Sequence, residues 1–244
     1  MNILIVNDDG YEAFGFKLLA HSLAGQGRVF ACAPKVEQSA TSQKITIAKK
    51  LKYEEVTSIP GTQRTIAVDG TPADCVRLGL KIYSDVEFDL IVSGINSGPN
   101  LSRDTLYSGT VAAATEGYLL GIPSIAISAA DIKADFIIDE TIKICEVIIS
   151  KNIYKKYPLL NINFPSDKPL GRKITVLGSR TFHAEYKKIN NENAFAVSYS
   201  INSNNEIKNS DDVAQKAGYT TITPLLYDKT DHKLVKSLEK NFEE

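Results

Sequence analysis

Short apolar runs alternate with segments of helical periodicity through the first two thirds of the chain. Residues 3–6 form a continuous apolar run with β-branched members, the pattern of a strand that is buried on both faces. Apolar side chains then recur at i, i+3, i+4 and i+7, as on one face of a helix: Phe16, Leu19, Ala20 and Leu23. A second apolar run at residues 28–33 ends at Pro34. This order of strand, helix and strand predicts a right-handed βαβ unit and therefore a parallel sheet.

The same alternation continues to about residue 165. Three more largely apolar runs predict core strands at residues 88–92, 124–128 and 159–164. Helices are predicted before or between these strands, at residues 72–80, 110–117 and 138–149. Thr71, Pro72 and Asp74 form a typical helix start, with an N-cap, a proline at N1 and an acid near the positive end. Residues 45–53 and 65–68 predict short exposed strands in an antiparallel hairpin. We therefore expect an α/β fold with a Rossmann-like, doubly wound, mostly parallel sheet.

The remainder of the chain changes character after residue 165. Strands are predicted at residues 174–177, 194–199 and 219–223. A short helix is predicted at residues 210–217 and a terminal helix at residues 233–241. Asn-rich stretches at residues 190–193 and 202–209 predict turns or a hairpin tip. We expect a core at residues 1–165, with a hairpin excursion near 45–68. Residues 166–244 are expected to form an extension of the same unit, whose hairpin and terminal helix serve oligomerisation.

Composition and charge narrow the classes of function. The 28 basic and 29 acidic side chains give a net charge of -1, without the basic footprint of a protein that binds long nucleic acid. Cys32, Cys75 and Cys145 lie far apart in apolar stretches, which predicts buried thiols in a reducing compartment. The chain enters a strand directly, and no apolar run approaches the length of a membrane span. We expect a cytoplasmic protein without a membrane partner.

The first predicted strand ends in the polar turn Asn7-Asp8-Asp9-Gly10. Two adjacent carboxylates at the end of a buried strand repel each other and are costly to desolvate, so they commonly have a cation as partner. In open α/β sheets, ligands also gather outside the carboxyl ends of the strands. The alternative is that Asp8 or Asp9 caps the next helix or supports the turn. The residues alone leave both interpretations open.

Other polar loops follow the predicted core strands and would lie at the same edge of the sheet. After the second strand, a hydroxyl of Ser39, Thr41 or Ser42 could reach the same site, although the residues of this loop by themselves favour an ordinary solvated loop. After the strand at residues 88–92, Asn96 and Asn100 offer amide oxygens. Carboxylate, hydroxyl and amide oxygens are hard ligands that suit Mg²⁺ or Mn²⁺ better than zinc.

The stretch Tyr107 to Gly117 leads from a loop into an alanine-rich helix. Ser108, Gly109 and Thr110 bring free backbone N–H groups and two hydroxyls to the positive helix end, which suits a phosphate group. An ordinary N-cap is the alternative for either hydroxyl. A divalent ion that faces a phosphate site predicts metal-assisted hydrolysis.

Several motifs in order along nearly the whole chain resemble the SurE family, the survival protein E or stationary-phase 5′/3′-nucleotidases. These are NILIVNDDGY at the start, a serine at position 39 after Ala33-Pro34, and then DGTPADCV, DLIVSGINSGPNL, YSGTVAAATEG and GYTTITPL. The resemblance implies a phosphatase for nucleoside 5′- and possibly 3′-monophosphates, with short polyphosphate as a further substrate in some members. It also implies one Mg²⁺ or Mn²⁺ ion per subunit, and dimers or tetramers that exchange C-terminal segments.

The resemblance assigns roles by position. It implies that four residues hold the metal, namely Asp8, Asp9, Ser39 and Asn96. It further implies that Ser108, Gly109 and Thr110 contact the phosphate, and that Asn100 belongs to the substrate-binding loop. Asp8 and Asp9 are also the candidates to orient or deprotonate the attacking water.

One loop departs from the family pattern. The family commonly has DRNRSGAS where this chain has KVEQSATS at residues 35–42. In this chain Val36 and Gln38 replace the two arginines of the family pattern. Glu37 replaces its asparagine, and Ala40 replaces the glycine that follows the serine. A less positive loop with an added methyl group predicts an altered substrate approach or base preference.

Two other classes of protein fit parts of the pattern. A receiver-like signalling module also opens with a strand and paired acids, but it needs a phosphoacceptor aspartate at the end of its third core strand. The comparable strand here, FDLIVSG, ends without one, and the chain is too long for a lone receiver domain. A noncatalytic nucleotide sensor of the same fold stays possible on sequence grounds. A dinucleotide-binding protein is disfavoured, because no G-x-G-x-x-G follows the first strand.

Overall fold

A nine-stranded sheet forms the centre of the part of the chain described by this computed structural model, residues 1–190, 192–202, 207–239 and 241–242. The strands are, in chain order, β1 (Asn2–Val6), β2 (Arg28–Pro34), β3 (Tyr53–Val56), β4 (Arg64–Val68), β5 (Leu90–Ser97), β6 (Ser124–Ala129), β7 (Leu159–Phe164), β8 (Arg172–Ile174), β9 (Thr181–Lys188), β10 (Phe195–Asn202) and β11 (Thr220–Pro224). All but β9 and β10 belong to the sheet, in the order β3-β4-β2-β1-β5-β6-β7-β11-β8. The strands β4, β2, β1, β5, β6 and β7 are parallel, which confirms the predicted doubly wound α/β fold.

The helices cover both faces of this sheet. They are α1 (Phe14–Leu23), α2 (Pro72–Ile82), α3 (Gly109–Leu119), α4 (Ile137–Ser150), α5 (Ile153–Lys156), α6 (Asp211–Lys216) and α7 (His232–Glu239), with a 3₁₀-helix at Ser102–Leu106. Ile3 and Ile5 pack with α1 and α4 on one face, while Leu4 and Val6 pack with α2 on the other. Because successive strand residues point to opposite faces, burial on both sides explains the unbroken apolar run of β1. No helix among the described residues is both long enough and apolar enough to span a membrane.

The predicted hairpin near residues 45–68 is only partly correct. β3 and β4 are antiparallel, with Tyr53 opposite Val68, but residues 45–52 form no strand. β4 is not an exposed strand, because it pairs in parallel with β2 and its last four residues are buried. The following helix α2 supplies the apolar side chains Cys75 and Val76 that cover one of its faces. At the start of α2 the predicted cap is present, since Thr71 and Asp74 form a reciprocal capping box.

The segment after residue 165 adds two strands to the same sheet. β11 is antiparallel to β7, and β8 is parallel to β11. β8 ends at Ile174, so the strand predicted at residues 174–177 is wrong in its position. The expected hairpin is formed by β9 and β10, and β9 was missed because its side chains lack a buried face that would impose a clear alternation. In the predicted Asn-rich turns, residues 191 and 203–206 lie outside the described residues, as does residue 240 of the predicted terminal helix.

Asp211 joins this segment to the 3₁₀-helix. Its buried carboxylate accepts hydrogen bonds from Ser102 N (2.8 Å), Ser102 Oγ (3.1 Å), Gly178 N (2.9 Å) and Asp212 N (2.9 Å). Burial raises the pKa of this carboxyl group, while these donors oppose the rise. Ser102 has a φ of 54°, a left-handed conformation that a residue other than glycine adopts at a cost. The carboxylate therefore holds the first residue of the 3₁₀-helix in place.

We expect Asp211→Ala to lower the free energy of unfolding by about 3 kcal/mol, because it leaves buried N–H donors without an acceptor. Urea unfolding followed by circular dichroism measures this loss. The matched control is Asp167→Ala, which truncates an exposed aspartate and should change the free energy by less than about 0.5 kcal/mol. A loss below about 1 kcal/mol for Asp211→Ala would show that water replaces the carboxylate at these donors.

Candidate active site

A cavity of about 490 Å³ lies at the carboxyl ends of β1, β2 and β5. Its lining residues are Asp8, Asp9, Glu37, Ser39, Ala40, Asn96, Ser97, Asn100, Asp104, Tyr107 and Ser108. The structure thus brings together six of the eight residues to which the family resemblance assigns roles. The other two, Gly109 and Thr110, lie directly behind Asp8. This position agrees with the rule that ligands bind at the carboxyl edge of a doubly wound sheet.

Asp8 is almost fully buried and is held by the start of α3. The Thr110 hydroxyl donates a hydrogen bond of 2.6 Å to Oδ1 of Asp8, and Thr110 itself is completely buried. Gly109 packs so closely that an added Cβ would lie 2.8 Å from Cβ and 2.9 Å from Oδ2 of Asp8. Burial raises the pKa of Asp8, and the bond from Thr110 opposes that rise. In this structure Thr110 therefore acts on a carboxylate, whereas the sequence suggested a phosphate contact.

Asp9 follows Asp8 and is half-buried. Among the described residues, its Oδ2 accepts one long hydrogen bond, of 3.4 Å, from Ser97 N. Burial, followed by the charge of Asp8, raises the pKa of Asp9 to about 6. Among the described residues neither carboxylate has an ion pair. Two adjacent acids without a cation are a destabilising arrangement that a bound cation would relieve.

The structure separates the three hydroxyls of the loop after β2. Ser39 lines the cavity with Asp8 and Asp9, and its Oγ donates a hydrogen bond of 2.6 Å to Oε1 of Glu37. The Thr41 hydroxyl bonds to the carbonyl of Gln38 (2.9 Å), and the Ser42 hydroxyl bonds to the carbonyl of Leu106. Thr41 and Ser42 line a different cavity of about 590 Å³, so Ser39 alone of the three reaches the paired acids.

Asn96 lies on β5, which continues to Ser97 and beyond the predicted end at residue 92. Its Nδ2 donates to the carbonyl of Gly98 (2.7 Å), which leaves the amide oxygen as the atom available to a cation. The predicted loop at residues 93–100 is therefore in large part an extended strand. Because Asn96 pairs with Ser128 of β6, it is positioned by the sheet and not by a turn.

Asn100 is held at the edge of the cavity by polar side chains buried inside the sheet. Asn100 N donates to Oδ1 of Asn163 (2.7 Å), its Nδ2 donates to Ser128 Oγ (2.8 Å), and its carbonyl accepts from Asn161 Nδ2 (2.8 Å). Sequence reasoning missed this network. Its signal was the two asparagines inside the otherwise apolar strand at Leu159–Phe164, since buried amides need hydrogen-bond partners.

Of the other five lining residues, Ser97, Asp104 and Tyr107 were missed, whereas Glu37 and Ala40 belong to the loop that departs from the family pattern. Asp104 is buried and forms an ion pair with Arg180, which directly precedes β9. Burial raises the pKa of Asp104, and the Arg180 guanidinium opposes that rise. Arg180 and Asp211 thus connect the C-terminal segment to the 3₁₀-helix.

The raised pKa of Asp9 predicts a pH dependence of stability in the absence of divalent metal. The folded protein takes up a proton at Asp9 near pH 6, whereas an unfolded aspartate does so near about 3.9. The stability contributed by this group is thus present at low pH and lost as the pH rises through about 6. Relative to Asp9→Asn, the wild-type protein should gain stability between pH 7 and pH 5. Urea unfolding in EDTA at both pH values tests this, and a constant difference would contradict it.

Comparisons with known proteins agree with this architecture. A family model described as Survival protein SurE matches residues 3–184. A protein of Pelotomaculum thermopropionicum named 5′-nucleotidase SurE is 41% identical over 247 residues, which cover 98% of this chain and 95% of that protein. A protein of Clostridium tetani with the same name is 38% identical over 251 residues, which cover 99% and 100%. The crystal structure of SurE protein from Aquifex aeolicus superimposes with a TM-score of 0.83 at 34% identity, over 100% of both chains. With its sheet order, its acidic cavity and these matches, the chain belongs to the SurE family.

Proposed function

We propose that this protein is a divalent-metal-dependent phosphomonoesterase that hydrolyses nucleoside 5′-monophosphates, and also 3′-monophosphates, to nucleoside and phosphate. The observation that carries the proposal is the pair Asp8 and Asp9, adjacent carboxylates without an ion pair among the described residues, in a cavity that also contains the N-cap of α3. The relatives named 5′-nucleotidase supply the class of substrate.

In this proposal Asp8, Asp9, Ser39 and Asn96 hold one Mg²⁺ or Mn²⁺ ion. The donor set fits such an ion, because carboxylate, hydroxyl and amide oxygens are hard ligands. Asp8 and Asp9 supply the negative charge, and Ser39 and Asn96 line the same cavity with neutral oxygens. When bound, the ion supplies a Lewis acid for the phosphoryl oxygens and lowers the pKa of water. Asp8 or Asp9 then accepts the proton of the attacking water.

The N-terminus of α3 provides the phosphate site in this proposal. Ser108 is the N-cap and accepts a hydrogen bond from Val111 N (3.1 Å), which orders the first turn. The first backbone N–H groups of a helix lack intrahelical acceptors and carry the positive end of the helix dipole. Ser108, Gly109 and Thr110 therefore offer a positive helix end to the phosphate, and Asn100 borders the substrate.

We further propose that the protein is a homo-oligomer, a dimer or a tetramer, assembled through the hairpin β9–β10 and the terminal helix α7. The hairpin carries exposed Tyr186, Val197 and Tyr199, and α7 carries exposed Leu234 and Leu238. Apolar side chains of this size are commonly covered by a partner. The three buried free cysteines fit the proposed cytoplasmic location.

Phosphate release from a panel of 5′- and 3′-nucleoside monophosphates and tripolyphosphate tests the proposed activity. Each substrate is assayed with Mn²⁺, with Mg²⁺ and with EDTA. We expect release from at least one nucleoside monophosphate that EDTA abolishes and added Mn²⁺ restores. Nucleotide binding without phosphate release in any condition would instead support a noncatalytic sensor, and release that persists in EDTA would contradict metal dependence.

A further inference from the structure

Glu37 is an acid at the cavity to which the proposed reaction assigns no role. It lies in the loop after β2, two residues before Ser39, and its side chain lines the same cavity as Asp8 and Asp9. The basic residue of the same loop, Lys35, forms its ion pair with Glu54 on β3, at a distance of 3.0 Å between Nζ and Oε1. Glu37 has no ion pair among the residues that the structure describes, and its carboxylate accepts a hydrogen bond from the Ser39 hydroxyl.

The hydrogen bond between Ser39 and Glu37 fixes the direction of the serine hydroxyl. Ser39 Oγ donates to Oε1 of Glu37 over 2.6 Å, within the range of charge-assisted bonds from a hydroxyl to a carboxylate. A hydroxyl has one proton and two lone pairs, and the proton rotates to suit its neighbours. Because the O–H group donates its hydrogen bond to the carboxylate, the lone pairs of Oγ are directed away from Glu37 and remain available to a cation.

Glu37 is linked to the proposed ligands through Ser39. Three acids, Asp8, Asp9 and Glu37, line the cavity, and the Glu37 carboxylate accepts the hydrogen bond of the Ser39 hydroxyl. Residues that orient a ligand in this way typically contribute about 10- to 100-fold to metal affinity.

We propose that Glu37 is a positioning residue that orients the Ser39 hydroxyl so that its lone pairs face the divalent ion. This inference rests on the metal role of Ser39 in the proposed function. In this sequence the loop KVEQSATS thereby contributes to metal affinity through an acid, at a position where the related pattern has asparagine.

Direct binding of Mn²⁺ tests the role without reference to activity. Free Mn²⁺ is measured by electron paramagnetic resonance with wild-type protein, Glu37→Ala, Glu37→Gln, Ser39→Ala and the double variant Glu37→Ala/Ser39→Ala. The matched control is Glu146→Gln, which removes one negative charge from an exposed position on α4. Because Glu37 and Ser39 are both exposed, these substitutions leave the core packing unchanged.

We expect Glu37→Ala to weaken Mn²⁺ binding about 10-fold. Glu37→Gln, whose amide oxygen still accepts the serine proton, should weaken it less than about 3-fold. In the Ser39→Ala background, adding Glu37→Ala should change the Mn²⁺ dissociation constant by less than about 2-fold. The Glu146→Gln control should bind as the wild type does.

Three results would overturn the role of Glu37. They are wild-type affinity in Glu37→Ala, equal losses in Glu37→Gln and Glu37→Ala, or an undiminished effect of Glu37→Ala in the Ser39→Ala background. The last two would mean that the charge of Glu37 acts without the hydroxyl. Failure of the proposed function is a separate result: the wild-type protein would bind no Mn²⁺, or Asp9→Asn would bind it equally well.

Discussion

Asp9→Asn should lower the rate of phosphate release by at least about a thousandfold while the protein stays folded. The substitution keeps an oxygen that can accept the long bond from Ser97 N but removes a negative charge from the proposed metal site. An interaction worth several kcal/mol in the transition state corresponds to about a thousandfold in rate. Phosphate release under saturating Mn²⁺, together with the circular dichroism spectrum, measures both parts of this expectation.

The control for this substitution is Asp85→Asn. Asp85 is exposed in the loop before β5, at the opposite edge of the sheet from Asp9. Its replacement makes the same chemical change and should leave turnover within about 2-fold of the wild type. If Asp9→Asn retained a tenth or more of the wild-type rate, Asp9 would have no essential part in the reaction.

Gly109→Ala should reduce kcat/KM by about 100-fold, even though alanine is a better helix former than glycine. The new Cβ would lie 2.8 Å from Cβ of Asp8 and 3.1 Å from Cγ of Pro72, so either Asp8 or the first turn of α3 must move. A displacement of about 1 Å at a catalytic group is enough for a loss of this size. Steady-state kinetics measure the loss, and the Mn²⁺ dissociation constant should rise in the same variant.

Gly25→Ala is the matched control, because a Cβ at Gly25 meets no atom within 4 Å. This variant should retain wild-type kinetics. Unchanged kinetics in Gly109→Ala would mean that α3 can shift to admit a methyl group without moving Asp8, and Gly109 would then have no positioning role.

The local patterns of the sequence were sufficient to predict most elements of the sheet. The continuous apolar run at residues 3–6 and the largely apolar runs at 124–128 and 159–164 correspond to β1, β6 and β7, and the cap at Thr71 starts α2 as expected. These features depend on neighbours a few positions apart, such as the reciprocal bonds between Thr71 and Asp74. β4 was misjudged as exposed, because a run of four residues does not reveal whether a distant helix will cover it.

The position of the candidate site was likewise predictable from the sequence. Parallel strands bring their carboxyl ends to one edge, so polar residues directly after β1 and β2 had to approach each other once the strands were paired. The family motifs then selected the same residues. What the residues alone left open was the choice among Ser39, Thr41 and Ser42, because all three stand in one flexible-looking polar loop.

By itself the sequence determined the parallel sheet, the acids Asp8 and Asp9 at its edge and the helix start that faces them. The tertiary structure alone decided which polar atoms meet, as in the bond from Thr110 to Asp8 across 102 positions and from Ser102 to Asp211 across 109. Hydrogen bonds form only within about 3 Å and a narrow range of angles, so they depend on strand register and on how helices seat against the sheet. Such distances arise from the packing of the whole chain, and no local pattern of residues carries them.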